Sequence, residues 1–264
     1  MEKVKNIIWI IALMLVIILI IGVGFGYYKK VTMEVKNPIA TMEVENFGTI
    51  KIELYPEIAP ETVANFITLA NRGFYDGLTF HRIVKDFMIQ GGDKNGTGTG
   101  SAMISDLKDG GEETEYCIKG EFIANGVNNK LKFEEGVIGM ARNDYTQYSS
   151  SLAEESYNSG SSQFFIMTKP TTSLNGYYTS FGKVIEGMDI VHKIEEVEVK
   201  LADNSEETGN TEVSTPVNTV KINSVKVETN GTDYGTPKVL KPFDYMSWLY
   251  AQYGIDPSTL VTTE

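Results

Sequence analysis

The sequence predicts an all-β domain carried behind one long apolar helix, on three observations. Short apolar runs recur between Ala40 and Val227, separated by Gly, Asn and polar stretches. Only two segments in that span have helical spacing. The 22 residues 7–28 carry no charge, and most are Ile, Leu or Val. Many short strands with few helices point to a barrel or a sandwich.

The apolar run comes first. As a helix it would be about 33 Å long, enough for a hydrocarbon core of about 30 Å. A secretory signal has a shorter apolar region, of about 7–15 residues. Gly22, Gly24 and Gly26 form only a weak small-residue cleavage pattern. A retained anchor (or uncleaved signal) over residues 1–30 is therefore expected, then a linker over 31–39. Lys3 and Lys5 precede the run, and Lys29, Lys30 and Lys36 follow it, so local charge does not set its direction. A long following domain can cross regardless of its charges. The expected location is the cell membrane, single-pass, with the globular part extracytoplasmic.

The domain is expected over residues 40–228. Residues 40–44 and 49–55 read as strands around a turn at Asn46-Phe47-Gly48. Pro60-Glu61-Thr62 opens a helix on which Val63, Phe66, Ile67 and Ala70 share a face, closed by Arg72-Gly73. Residues 78–84 and 87–90 read as strands, and 93–100 as a Gly/Thr-rich loop. Strands follow at 137–141, 163–168 and 179–184, then a helix at 188–194. The Ser-, Glu- and Asn-rich residues 148–162 read as an exposed insertion, and 203–216 as a polar, acidic loop. The alternation in 220–227 suits a last strand with one buried face. Residues 229–264 form an aromatic-rich tail, expected to place a short helix back on the barrel, with docking of a partner as the alternative.

After residue 30 the chain keeps 19 of its 23 Lys and Arg but 34 of its 35 Asp and Glu, a net charge of −15. So acidic a domain repels phosphate backbones, and no nucleic-acid partner is expected. Cys117 is the single cysteine, so no internal disulfide can form. His81 and His192 are the only histidines, too few for a His-based metal site, and both read as structural. Asp93, Asp106 and Asp109 lack the ligand spacing of a calcium loop. The glycines at 96, 98 and 100 lack the Lys-Ser/Thr ending of a phosphate loop. No cofactor or metal is expected.

The informative stretch is Phe80-His81-Arg82-Ile83-Val84-Lys85-Asp86-Phe87-Met88-Ile89-Gln90-Gly91-Gly92-Asp93. It resembles the signature of the cyclophilins, a family of peptidyl-prolyl cis/trans isomerases. Ser162-Gln163-Phe164-Phe165-Ile166 and Phe181-Gly182-Lys183-Val184-Ile185-Glu186-Gly187-Met188 resemble two more of its motifs, and Lys119-Gly120-Glu121-Phe122 is similar to a segment common in bacterial members. Order and spacing agree over roughly residues 40–228. The resemblance implies an eight-stranded antiparallel barrel capped by two α-helices, an isomerase activity, and proline-containing polypeptides as partners.

An Xaa-Pro amide resists rotation through its partial double bond, with a barrier of about 18–20 kcal/mol. Neither nucleophile nor metal is needed to lower it. A hydrogen-bond donor that favours a pyramidal proline nitrogen helps, as does a pocket that fits the twisted amide better than the planar one. By resemblance Arg82 is that donor, and Gln90 orients it or the neighbouring carbonyl. Phe87, Met88, Phe165 and Leu174 match proline-pocket positions. Ala141 and Arg142 match positions whose backbone holds an extended substrate. Tyr178 stands where many members have His; it keeps a ring and offers a hydroxyl. Ser173 stands where some have a pocket-edge Trp linked to cyclosporin, so the resemblance does not carry cyclosporin sensitivity over to this chain. The insertion between Ala141 and Gln163 is about a dozen residues longer than usual and is expected beside the substrate groove. The implied role is folding of secreted or envelope proteins; the alternative is a non-catalytic proline-peptide receptor or chaperone module at the membrane.

Overall fold

The structure is a computed structural model that describes residues 2–32, 36–202, 209 and 211–256. The chain divides into two compact units, Met1–Lys36 and Asn37–Glu264. The first is helix α1 (Glu2–Thr32). Its stretch Lys5–Gly24 is long and apolar enough to cross a membrane, and its described side chains from Ile7 to Val23 are exposed.

The second unit is built on strands β1 (Ile39–Val44), β2 (Gly48–Leu54), β3 (Phe80–Val84), β4 (Met88–Gly91), β5 (Cys117–Ile118), β6 (Val137–Met140), β7 (Phe164–Met167), β8 (Ser180–Glu186), β9 (Val199–Leu201), β10 (Val213–Pro216), β11 (Ile222–Glu228) and β12 (Val239–Leu240). Its helices are α2 (Pro60–Asn71), α3 (Ile104–Leu107), α4 (Ala153–Tyr157), α5 (Met188–Glu195) and α6 (Tyr245–Gln252). Eight strands form one antiparallel sheet in the order β11-β1-β2-β8-β6-β7-β4-β3. It curls until its outer strands meet: Thr79 bridges Lys221, and the Phe80 N–H donates to the Val220 carbonyl at 2.9 Å. The expected eight-stranded antiparallel barrel is the fold.

Alternation builds the interior. Ala40, Met42 and Val44 of β1 and Ile50, Ile52 and Leu54 of β2 point inward. Helix α2 starts on Pro60, as the fixed φ of proline favours, and packs Val63, Phe66 and Ala70 into the same core. Its N-terminus is closed from far away. The buried Glu121 carboxylate accepts the Glu61 N–H at 3.1 Å, the Thr62 N–H at 2.8 Å and the Thr62 hydroxyl at 2.7 Å. The Phe66 ring meets Tyr75 at 5.1 Å and meets Phe164 edge-on at 5.7 Å, an arrangement that aromatic quadrupoles favour. Helix α5 adds Val191 and Ile194.

Three regions differ from the sequence reading. The acidic loop expected over 203–216 has a folded end: Val213–Pro216 pairs antiparallel with Val199–Leu201, while 203–208 and 210 lie outside the described residues. The insertion is not wholly exposed, because it coils through short 3-10 turns into α4 and buries Leu152 and Ser156. The tail helix α6, capped by Asp244, makes its ring contacts with the insertion. Tyr245 lies 4.6 Å from Tyr148 and 6.4 Å from Tyr145, and Phe243 lies 5.1 Å from Tyr145. Just before it, Val239–Leu240 adds a strand to Cys117–Ile118. Two short polar-flanked segments thus meet in three aromatic contacts, which neither pattern announces alone.

Candidate active site

Four neighbouring strands, β3, β4, β7 and β6, turn one face to the interior and the other outward. Arg82 pairs with Gln90, Gln90 with Phe165, and Phe165 with Gly139, so these four stand in one row across the sheet. A bulge sets the row. Phe80 pairs with Gly91 and Arg82 with Gln90, leaving His81 as the extra residue. Without it Phe80 and Arg82 would share a face; with it Phe80 and Ile83 reach the core while Arg82 stays at the surface. His81 is itself buried, and burial pushes its pKa down.

On the outer face Met88, Phe133, Val137, Phe165 and Met167 form a second apolar cluster. The Phe133 and Phe165 rings stack at 5.5 Å directly over Gly139. A Cβ at that position would fall 2.4 Å from Phe165 Cζ, so the missing side chain makes room for the floor. Above it opens a cavity of about 220 Å³, lined by Arg82, Phe87, Met88, Gln90, Ala141, Arg142, Phe165, Leu174 and Tyr178. These are the nine residues singled out from the sequence, drawn from strands, loops and a 3-10 turn up to 96 residues apart. Ser173, in that turn, is exposed. Tyr178 stands edge-on to Phe165 at 6.0 Å.

The polar side of the cavity is a relay. Arg82 Nη1 donates to Gln90 Oε1 at 3.1 Å and approaches Met88 Sδ at 3.6 Å. Gln90 Nε2 donates to Gln163 Oε1 at 3.0 Å, and Gln163 Nε2 donates to the Gly100 carbonyl at 2.9 Å. At the other end the Glu212 carboxylate receives Arg82 Nε at 2.6 Å and Nη2 at 2.8 Å. The hydrogen bond and charge of Arg82 hold that carboxyl below its ordinary range. The Asp93 carboxylate organises the glycine loop by accepting the N–H groups of Asn95, Thr97 and Gly98. Among the described residues no cluster of three His, Cys, Asp or Glu could hold a metal.

Arg142 sends its side chain away from this relay. Its guanidinium lies 4.3 Å from the Tyr178 ring centre, and Nε donates to the Tyr177 carbonyl at 3.1 Å. The Ala141 N–H donates to the Gln163 carbonyl at 2.9 Å. A smaller polar cleft adjoins across Gln90, Ala141 and Arg142, walled by Gly98, Gly100, Ser159 and Ser161. The insertion therefore ends beside the apolar cavity.

Sequence reasoning missed two members of the relay. Gln163 carried a signal, since it lies two residues before Phe165 and so shares its face. Glu212 carried none: it is 130 residues from Arg82, in a stretch that read as a generic acidic loop.

The model of the family described as cyclophilin type peptidyl-prolyl cis-trans isomerase/CLD matches residues 39–227. The chain is 42% identical over 146 residues to peptidyl-prolyl cis-trans isomerase B of Bacillus subtilis, covering 55% of this chain and 82% of that one. It is 36% identical over 178 residues to peptidyl-prolyl cis-trans isomerase-like 1 of Mus musculus, covering 67% and 85%. A crystal structure of a cyclophilin type peptidyl-prolyl cis-trans isomerase of Cryptosporidium parvum, determined in the presence of the dipeptide Ala-Pro, superposes with a TM-score of 0.56 at 26% identity, covering 72% of this chain and 98% of that one. Barrel, motifs and relatives agree: this chain belongs to the cyclophilin-type peptidyl-prolyl cis/trans isomerases.

Proposed function

We propose that the chain is a membrane-tethered isomerase that speeds Xaa-Pro rotation in secreted or envelope polypeptides, with Arg82 as the hydrogen-bond donor and the outer cavity as the proline pocket. The observation that carries this reading is the Arg82 guanidinium, held by Gln90 at the rim of a hollow floored by Met88 and Phe165. Proline has an apolar ring and no N–H, so an apolar floor with a donor at one edge suits it. The donor favours a pyramidal proline nitrogen, and one charge-assisted hydrogen bond supplies roughly 1.5–3 kcal/mol, or about 10–100-fold in rate. The fit of Phe87, Phe165, Leu174 and Tyr178 to the twisted amide supplies the rest. Because the Ala141 N–H is taken by Gln163, edge pairing with an extended peptide there falls to the Ala141 carbonyl and to Arg142. The Ala-Pro dipeptide present with the Cryptosporidium parvum relative suits such a pocket.

The test is NMR exchange on an Xaa-Pro peptide with the full chain in detergent micelles, beside Arg82→Ala. The expected result is accelerated exchange by the wild type and a loss of about 10–100-fold in the variant. Binding without acceleration would favour the receptor reading; equal acceleration would remove Arg82 from the mechanism.

The tether rests on Lys5–Gly24, whose described apolar side chains are exposed and whose length of about 30 Å matches a bilayer core. A basic start ahead of it suits a cytoplasmic N-terminus with the barrel on the far side. The chain should stay in the membrane pellet through an alkaline carbonate wash; release would mark the segment as a cleaved signal.

A further inference from the structure

The shortest hydrogen bond of the Arg82 side chain runs to a residue outside the cavity wall. Glu212 takes Nε and Nη2 in a two-point fork at 2.6 and 2.8 Å, the geometry in which Arg and a carboxylate bind most strongly. It directly precedes β10, which packs against β3, and it is not among the residues lining the cavity. Its contact thus leaves the hollow open. Arg82 and Glu212 side chains are only 32% and 38% exposed, so the pair is shielded more than an ordinary surface bridge.

We propose that Glu212 is a positioning residue for the isomerisation assigned above, an inference that rests on that assignment. An Arg side chain rotates about several bonds, and fixing it costs conformational entropy. Glu212 holds Nε and one Nη2 hydrogen, and Gln90 holds one Nη1 hydrogen. The other Nη1 hydrogen faces only the weak Met88 Sδ acceptor at 3.6 Å, so the second Nη2 hydrogen is left to meet the proline nitrogen or the adjacent carbonyl. The donor is thereby aimed before the peptide arrives, so its ordering is not drawn from the energy of binding the twisted amide. Glu212 touches no substrate in this scheme; it acts through Arg82.

Its test is a double-mutant cycle in the full chain, read by exchange of an Ala-Pro peptide below and above saturation. Glu212→Ala should lower kcat about tenfold with KM changed by less than about twofold, the pattern of an interaction felt only in the transition state. Glu212→Gln, which keeps one acceptor oxygen, should fall between the two. In the Arg82→Ala background Glu212→Ala should have no further effect, because the group it positions is gone. A merely structural Glu212 would lower activity by the same factor in both backgrounds, and that result overturns the proposal. So does a Glu212→Ala variant as fast as the wild type, or faster, which would make the carboxylate a cap on the donor. A wild-type chain that leaves exchange at its uncatalysed rate overturns the isomerase reading and this one with it; an active wild type indifferent to Glu212 overturns this one alone.

Discussion

Phe164 and Phe165 are adjacent in the chain and lie in different regions of the molecule. Phe164 points into the barrel, against Phe66, Tyr75 and Phe80, where aromatic rings leave no room for solvent. Phe165 points outward, onto Phe133 and over Gly139, as the floor of an open hollow. The two apolar regions share strands and residue types. They differ in what covers them: α2 and α5 close over the interior, whereas outside the loop residues Leu174 and Tyr178 stop at the rim. Burial stabilises the first region, while the second leaves apolar surface for a ligand to cover.

The largest expected effect separates the two directly. Phe164→Ala should cost about 3–5 kcal/mol in chemical denaturation, the usual loss for a large core ring. Phe165→Ala should cost about half as much and lower kcat/KM roughly 30-fold, since about 2 kcal/mol of apolar contact with the proline ring is lost. If Phe165→Ala destabilised the fold as much as Phe164→Ala, the outer cluster would be core and the comparison would fail.

Glu121 tests whether the covering helix can be loosened without touching the hollow. Glu121→Gln should cost about 1–3 kcal/mol, because three donors of α2 lose a charged acceptor, while kcat is kept. Burial raises the Glu121 pKa despite those donors. Between the ordinary carboxylate value and the raised one, the folded state therefore holds a proton that the unfolded chain has released. Stability from this group falls as pH rises from the ordinary carboxylate value through the raised one, and the slope should vanish in the Gln variant. A matching loss of kcat would show that helix and hollow are not separable.

The smallest effect lies where the regions join. On α5, His192 sits between Glu195 at 2.5 Å and Glu135 at 2.6 Å, and Glu195 also accepts the Asp86 N–H in the turn of the Arg82 hairpin. Hydrogen bonding to Glu195 leads in raising the His192 pKa. Its stabilisation is complete below the unfolded value of about 6.5 and is lost as pH rises through the folded one. The ring is 41% exposed, so solvent screening limits the effect to a few tenths of a kcal/mol. A melting profile measured from pH 5 to 9 should flatten slightly in His192→Ala; an unchanged profile would dismiss the link.

Much of this was legible in the chain. The nine cavity residues are the positions that the family resemblance pointed to; spacing alone did not give them, since a bulge at His81 sets the face on which Arg82 stands. The strands were legible because one face is buried and a period of two follows. The folded end of the acidic loop, the partner of the tail helix and the N-cap of α2 were not, because each depends on a segment distant in sequence.

Local chemistry in the amino-acid order thus sufficed for the apolar helix and the two-faced strands, while the family resemblance pointed to Arg82 and Gln90. Only the closed barrel decided that Glu212 would reach Arg82 across 130 residues and Glu121 would reach Thr62 across 59. Periodicity reports which face of an element is buried, but a carboxylate's partner is whichever donor the folded backbone brings within about 3 Å, and no local pattern encodes that distance.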